Sequence, residues 1–369
     1  MTLMKAIPYI LLLPLALVVL FTQCDKVEPD TAFGDANFLN ALIERGIDTN
    51  GDSLISAAEA EAVTVLSVSS CHIFDMSGIE LFRFLRILNC YDNHITTLDL
   101  SHNTALSHLS CGRNPLYGLD VSKNTSLTEL YCNDNQLTNL DVSNNTALTE
   151  LYCNDNQLTS LDVSNNTVLD ILHCSNNQIS TLNVSNDDAL RSLGCSNNSL
   201  ATLDVSNNSG LGGLYCENNQ LTTLDVSNNS ALAGLYCDGN QLTSLDISSN
   251  TRLKTLHCEI NLLTALDFSN QTDLHKLYCG RNQLTSLDVS NQPDLKELSC
   301  GGNQLTSLDA SNNANLGLNA GGWIDCFLEI GDMPSLEKVC VWELPFPPEN
   351  FRLCAEGSPN VYFTTECSK

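Results

Sequence analysis

A cysteine recurs every 21 residues through most of this 369-residue chain. Eleven of the 17 cysteines share this position: Cys90, Cys111, Cys132, Cys153, Cys174, Cys195, Cys216, Cys237, Cys258, Cys279 and Cys300. A Leu stands two residues before each of them, and an Asn stands three residues after each. A unit of this length cannot bury a core of its own, so its copies must stack on one another. The sequence therefore predicts a repeat solenoid.

The pattern inside one unit indicates how each copy folds. Leu151 and Cys153 alternate with period two, which is typical of a short strand whose Leu and Cys point inward. We expect the side chain of Asn156 to hydrogen-bond backbone groups where the chain leaves the strand, because stacking would otherwise leave them unpaired. The other Leu positions of the unit then fill the interior from the opposite wall.

The unit LTELYCNDNQLTSLDVSNNT resembles a leucine-rich repeat of the secreted bacterial type, L-x-x-L-x-C-x-x-N-x-L. The resemblance covers residues 65–320, as one degenerate unit and eleven 21-residue units. It implies a parallel β-sheet on the concave face and short extended or 3₁₀ segments on the convex side. The degenerate unit, with Val68 in the inward Cys place and Cys71 in the Asn place, resembles an internalin-like first turn.

The repeated cysteines have three competing interpretations: disulfides, a metal or redox array, and core packing. We favour packing, since a narrow coil needs small inward residues and Cys behaves as a small buried hydrophobe. Side-by-side parallel Cβ vectors suit disulfide torsion poorly, and a linear row does not supply the convergent ligands of a metal site.

A second repeated position carries a carboxylate. Its members are Asp99, Asp120, Asp141, Asp162, Asp204, Asp225, Asp246, Asp267, Asp288 and Asp309, with Asn183 as the exception. The favoured interpretation is that each Asp accepts backbone hydrogen bonds in an Asx-type turn with the Ser that follows. The alternative is a run of cation sites along one edge.

The residue just before each repeated Cys is expected to point outward from the sheet. Aromatic residues dominate this row: Tyr131, Tyr152, His173, Tyr215, Tyr236, His257 and Tyr278. Acidic residues flank it, namely Glu129, Asp134, Glu150, Asp155, Glu217, Asp238 and Glu259, with Arg113, Lys276 and Arg281 toward the ends. The row either stabilises the sheet through in-register contacts or forms a ligand-binding face, since aromatic side chains suit both protein and sugar partners.

Residues 48–59 resemble an EF-hand calcium loop. The expected ligands are Asp48, Asn50, Asp52, the backbone carbonyl of Leu54, and a bidentate Glu59. Ser53 stands at the sixth position, where a Gly is expected. Helical patterns flank the loop, so residues 33–64 are predicted to be an EF-hand-like helical cap that holds one Ca²⁺. The alternative is an unmetallated Asn-Gly turn.

The N-terminal segment is typical of an export signal. An apolar run from Ile7 to Phe21 follows Lys5 and contains two prolines, which is too short and too kinked for a membrane span. We assign residues 1–23 to a signal peptide. Cys24 closes the run and resembles the lipobox cysteine of bacterial lipoproteins, so it is the predicted lipid anchor, and residues 24–32 form a linker. Ordinary cleavage near a free or paired Cys24 is the alternative.

The period fails after Cys300, and residues 321–369 are predicted to form a C-terminal cap over the open end of the solenoid. The segment from Met333 to Cys367 resembles the closing module that follows such repeats in secreted bacterial proteins. Four cysteines lie in the cap, Cys326, Cys340, Cys354 and Cys367, and an oxidising compartment would favour two disulfides among them. Of the three connectivities we favour Cys340 with Cys367 and Cys326 with Cys354.

The formal net charge of −27 argues against a nucleic-acid partner. The chain carries no Gly-rich phosphate loop, H-E-x-x-H or G-x-S-x-G motif, so it is not predicted to be an enzyme. We predict a non-catalytic cell-surface or secreted protein that binds a protein partner through its concave face, with any membrane association made only by the N-terminal lipid. The alternatives are a carbohydrate-binding or adhesin-type surface protein and a purely structural component of the envelope.

Overall fold

The computed structural model describes residues 33–318 and 326–367. The predicted signal peptide, Cys24 and the linker lie outside these residues. None of the helices within the described ranges is both long and apolar enough to cross a membrane.

Two short helices precede the repeats: α1 Ala36–Glu44 and α2 Ala57–Glu61. Helix α1 begins where the Asp35 carboxylate accepts a backbone N–H of the first turn, and it buries Phe38 in the main core. Helix α2 begins with a capping box in which Ser56 and Glu59 satisfy each other's backbone N–H groups. The helices pack on the first coil, as expected for a helical N-terminal cap.

In the described part of the chain, fourteen strands form one sheet in which every pair is parallel. These strands are β1 Val65–Ser67, β2 Ile87–Asn89, β3 His108–Ser110, β4 Glu129–Tyr131, β5 Glu150–Tyr152, β6 Ile171–His173, β7 Ser192–Gly194, β8 Gly213–Tyr215, β9 Gly234–Tyr236, β10 Thr255–His257, β11 Lys276–Tyr278, β12 Glu297–Ser299, β14 Leu328–Glu329 and β16 Leu353–Cys354. Equivalent residues of consecutive repeats are neighbours, as Leu130 and Leu151 show. The predicted leucine-rich repeat solenoid is therefore confirmed.

The interior is lined by the repeated apolar positions. Leu130, Cys132, Leu137, Val142 and Leu148 of one coil are fully buried. The eleven repeated cysteines are all free and buried, which confirms core packing as their structural role. Burial disfavours the thiolate and raises the pKa of Cys132 to about 12.

The Asn after each Cys forms the predicted ladder of side-chain to backbone hydrogen bonds. The amide nitrogen of Asn156 donates to the carbonyls of Cys153 in its own coil and Cys132 in the preceding coil, at 3.1 and 3.0 Å. Its amide oxygen accepts the N–H of Leu137 at 3.0 Å. Each Asn therefore joins two coils at a place where strand pairing has ended. In the first coil Cys71 takes this place, and its N–H donates to Asn93 at 3.0 Å.

A second amide ladder was not predicted. It is formed by the residue two positions after the repeated Ser, and ten of its members are Asn103, Asn124, Asn145, Asn166, Asn208, Asn229, Asn250, Gln271, Gln292 and Asn313, all fully buried. The amide nitrogen of Asn145 donates to the carbonyls of Val121 and Asn124 at 3.0 and 2.9 Å. The amide oxygen has no hydrogen-bond partner. The position thus requires a hydrogen-bond donor.

Asp187 interrupts this second ladder. Its side chain is 1% exposed, and neither carboxylate oxygen has a hydrogen-bond partner. By the register of the ladder it faces the carbonyls of Val163 and Asn166, which are acceptors and cannot pair with a carboxylate. Burial, with a smaller contribution from the charge of Asp188, raises the pKa of Asp187 to about 7.

The repeated Asp forms the predicted Asx-type turn. In all ten coils with Asp at this position, the carboxylate accepts the N–H of the Ser two residues later, at 2.8–3.0 Å. Asn183 accepts the same bond at 3.0 Å. The backbone N–H and then the hydroxyl of Ser164 hold the pKa of Asp162 below its usual value. The turn therefore accounts for this row of carboxylates without a cation.

The C-terminal segment adds coils to the solenoid. Strands β14 and β16 continue the main sheet, and a second parallel sheet consists of β13 Ser307–Asp309, β15 Lys338–Cys340 and β17 Tyr362–Thr364. The two favoured disulfides are both present, Cys326–Cys354 and Cys340–Cys367. They close the end of the stack, so the prediction of a disulfide-capped C-terminus is confirmed.

Candidate functional site: an aromatic row on the sheet face

The three-residue strands display two rows of side chains on the outer face of the sheet. In β4 the central Leu130 is buried, whereas Glu129 and Tyr131 on either side of it are half-buried and face outward. The same alternation in β5, β6, β8, β9, β10 and β11 places every predicted aromatic residue on this face. Because the strands pair in register, these residues form one row along the stack.

The rings of this aromatic row, Tyr131, Tyr152, His173, Tyr215, Tyr236, His257 and Tyr278, contact one another in sequence. Their centroids are 4.1–5.0 Å apart within each of two runs. Gly194 supplies no ring in the coil between the runs, and the separation there rises to 6.3 Å. Such contacts stabilise the sheet and leave a long half-exposed aromatic surface.

Carboxylates hold the tyrosines at the two ends of the row. The hydroxyl of Tyr131 lies 2.6 Å from an oxygen of Glu150, and the hydroxyl of Tyr278 donates to Glu297. Burial and these carboxylates raise the pKa of both phenols. Glu297 is itself 1% exposed and pairs with Lys276 at 2.9 Å. This buried pair was not predicted, although Lys276 and Glu297 occupy the same repeat position in adjacent coils.

Acidic residues line the row, as the sequence indicated. Glu217 and Asp238 lie beside the central rings, and Asp238 approaches Nδ1 of His257 at 3.5 Å. Glu259 accepts a hydrogen bond from the hydroxyl of Ser299 at 2.6 Å, two coils away. Burial raises the pKa of Glu259, and the negative charge of Asp238 adds to this effect.

The predicted calcium loop adopts a compact turn that matches the EF-hand in one conformational detail. The Asp48 carboxylate accepts the N–H groups of Gly51 and Ser53 at 2.7 and 2.9 Å. Ser53 has a φ of 65°, the left-handed conformation for which a Gly is expected at the sixth position. Ser53 therefore adopts a left-handed conformation despite its Cβ.

Glu59 joins the two ends of this loop. One carboxylate oxygen accepts from the N–H and hydroxyl of Thr49, both at 2.7 Å, and the other accepts from Ser56 at 2.9 and 2.8 Å. These bonds, first of all the N–H of Ser56, lower the pKa of Glu59 to about 2. The oxygen donor set suits Ca²⁺. The carboxylates of Asp48, Asp52 and Glu59 do not all lie within 4.8 Å of one another, so a bound ion would have to draw them together.

A stack of parallel strands with a Cys ladder, an Asn ladder and an outward aromatic row defines a leucine-rich repeat protein. Residues 125–166 match the family model "Leucine Rich repeats (2 copies)", and residues 216–234 match the "LVIVD repeat" model. No curated protein sequence matches the chain. The functional domain of InlJ from Listeria monocytogenes, described as including a cysteine ladder, is 34% identical with a TM-score of 0.67, over 78% of this chain and 74% of that one. The chain belongs to the internalin-like family of leucine-rich repeat proteins.

Two further solved structures share the fold. The internalin InlF from Listeria monocytogenes is 21% identical with a TM-score of 0.70, over 92% of this chain and 97% of that chain. The plant peptide hormone receptor RGFR1, solved in complex with RGF2, is 19% identical with a TM-score of 0.60, over 75% of this chain and 46% of the receptor chain. At these identities the likeness concerns the fold alone. Together with the InlJ relative, the two disulfides indicate an exported protein.

Proposed function

We propose that this protein is a non-catalytic scaffold outside the cytosol that binds a protein partner across its sheet face. The observation that carries the proposal is the aromatic row. The inward Leu and Cys build the core, and both amide ladders and the Asp turns satisfy the backbone, so the repeat architecture does not require rings on the outer face. Large half-exposed aromatic surfaces are typical of binding sites. The plant receptor solved in complex with RGF2 offers a precedent on a related solenoid.

The test of this proposal replaces Tyr152, Tyr215 and Tyr236 together with Ala. A partner is first captured from the native cell surface with the wild-type protein, and its affinity for both proteins is then measured. We expect the triple variant to bind about 100-fold more weakly or not at all, because aromatic anchors dominate interface energetics.

The matched control is Tyr117→Ala, which removes a ring that is 63% exposed and stands outside the row. Its affinity should equal that of the wild type, and circular dichroism should show that both variants are folded. If the triple variant loses stability but keeps its affinity, the row only stabilises the sheet and the proposal is wrong.

A sugar-binding or adhesive role is the second candidate, because tyrosine rings also pack against sugar rings. The hydroxyl of Tyr215 has no hydrogen-bond partner in the described residues and is available to a polar ligand. Glycan and protein arrays probed with the purified protein separate the two candidates. A purely structural envelope component would bind neither array.

We propose that the helical cap holds one Ca²⁺, and we predict that the bound ion stabilises the native protein. At a Ca²⁺ concentration 100 times the Kd, binding to the native state alone adds about 2.7 kcal/mol to the free energy of unfolding. Unfolding by urea, followed in Ca²⁺ and in EGTA, should show this difference for the wild type and a much smaller one for Asp48→Ala. Asp162→Asn changes an Asx turn remote from the loop and should keep the full difference. Identical curves with and without Ca²⁺ in the wild type would show that the loop is an unmetallated turn.

The lipid anchor at Cys24 is likewise a proposal, and it places the protein on the outer membrane or another cell surface. It rests on the apolar run that ends at this cysteine. Mass spectrometry of the mature N-terminus decides it, since a diacylated Cys24 supports the anchor and an unmodified thiol refutes it.

A further inference from the structure

The centre of the aromatic row differs from its ends. The hydroxyls of Tyr131 and Tyr278 are held by carboxylates, whereas the hydroxyl of Tyr215 has no hydrogen-bond partner in the part of the chain that is described. The rings of Tyr215 and Tyr236 are nearly parallel, with centroids 4.7 Å apart and planes inclined by 17°. Of the central pair, Tyr215 therefore has a hydroxyl available to a ligand, whereas the hydroxyl of Tyr236 interacts with the side chain of Thr255.

Two glycines let these central rings lie across their strands. A Cβ on Gly213 would stand 3.1 Å from Cε2 of Tyr215, and a Cβ on Gly234 would stand at the same distance from Cε2 of Tyr236. A side chain at either position would require the neighbouring ring to shift by a few tenths of an ångström. The glycines thus leave the flank of the two rings open to a partner.

The other flank of these rings carries a strip of negative charge, formed by Glu217, Asp238 and Glu259 on three consecutive coils. Among the described residues, no Lys or Arg nitrogen lies within 4.0 Å of these carboxylates, and the nearest basic group is the ring of His257 beside Asp238. At the end of the row, by contrast, Glu297 has Lys276 as its counterion. The central strip therefore has no Lys or Arg counterion, and only the ring of His257 approaches it.

This arrangement indicates the chemistry of the partner. We propose that the face receives an extended protein segment whose Arg or Lys side chains pair with Glu217, Asp238 and Glu259 while the segment packs on Tyr215 and Tyr236. The inference rests on the proposed function, because it assumes that the aromatic row binds protein. Arg suits the site best, since its planar guanidinium both pairs with carboxylates and stacks on aromatic rings.

A protein segment fits the strip better than a metal ion does. The three carboxylates lie just after strands β8, β9 and β10 on consecutive coils about 4.8 Å apart, so they are spread along the stack. They do not gather within 4.8 Å of one another as the ligands of one ion would. The net charge of −27 also favours a cationic partner over an anionic one.

The experiment selects peptides from a random 12-residue display library on the purified protein, with counter-selection on the Tyr152, Tyr215 and Tyr236 triple Ala variant. We expect the surviving peptides to be enriched in Arg and Lys about threefold or more over the library. Row-dependent peptides without this enrichment would overturn the inference and leave the proposed function standing. The absence of any row-dependent peptide would count against both.

Charge variants then test the strip itself with one selected peptide at physiological salt. The triple variant Glu217→Gln, Asp238→Asn and Glu259→Gln should weaken binding about 30-fold. The control changes three Asx carboxylates to Asn, at Asp204, Asp225 and Asp246, where Asn183 shows that the turn accepts Asn. It alters the net charge equally and should change affinity less than about threefold. Equal losses in both variants would show that net charge, not this strip, attracts the peptide.

Discussion

Replacing Asp187 with Asn is expected to raise the free energy of unfolding by about 3 kcal/mol more at pH 8 than at pH 4. The native protein holds the proton of Asp187 up to a pKa of about 7, whereas the ordinary value is 3.8. Well below pH 3.8 the carboxyl is protonated in both states. Between the two pKa values the unfolded chain releases its proton and the native protein does not, so native stability falls as the pH rises from about 4 to about 7 and levels off above it.

Asn removes this dependence because it carries no charge and supplies the donor that the second amide ladder requires. Urea unfolding of wild type and variant at several pH values between 4 and 8 measures the difference. Asn145→Asp is the matched variant, since it places a carboxylate at the same ladder position two coils away. It should introduce a second fall of similar size in the free energy of unfolding as the pH rises. Parallel stability curves for the wild type and Asp187→Asn would contradict the prediction.

Replacing Asn156 with Ala is expected to lower the free energy of unfolding by about 4 kcal/mol. The change removes amide donors from the carbonyls of Cys132 and Cys153 and the acceptor from the N–H of Leu137. The two carbonyls each keep one donor, from Asn135 and Asn177, but the buried N–H of Leu137 is left without a partner, which costs about 1–3 kcal/mol. Because each repeat is stabilised by its neighbours, losing bonds to the adjacent coil also weakens the stack.

Asn165→Ala is the control for this prediction. Asn165 makes the same kind of contact, from its amide nitrogen to the carbonyl of Ser143 at 3.2 Å, but it lies in solvent. Water can replace that bond, so its loss should change stability by less than about 0.5 kcal/mol. Equal effects of the two substitutions in chemical denaturation would show that the Asn ladder does not join the coils as its geometry indicates.

Much of the candidate site could be predicted from the sequence because every coil places the same residue types at the same positions. The alternation of Leu130 with Tyr131 was enough to place the aromatic row on the outer face, since side chains in a strand alternate by necessity. The Asn ladder and the Asx turn were predicted for a similar reason. Buried backbone groups need partners, and these residues are the ones that supply them.

The second amide ladder escaped prediction although its signal was in the sequence. An Asn, Gln or Asp follows the repeated Ser by two residues throughout the repeats, but an amide beside an exposed Asx turn looks like an ordinary loop residue. Only stacking reveals that this side chain points into the coil and meets carbonyls 21 and 24 residues earlier in the chain. The destabilising effect of the Asp187 carboxylate is therefore visible only in the structure, where this side chain is buried.

The 21-residue period by itself determined the solenoid, its parallel in-register sheet and the row that faces outward, because a short unit can bury its leucines only against copies of itself. The tertiary structure decided which side chains of neighbouring coils meet. Tyr278 donates to Glu297, Ser299 reaches Glu259 across two coils, and Glu217 and Asp238 have no Lys or Arg as a counterion within 4.0 Å among the described residues. A period fixes the position of each residue in its coil. The contacts depend on the particular residues in adjacent coils and on the directions their side chains take.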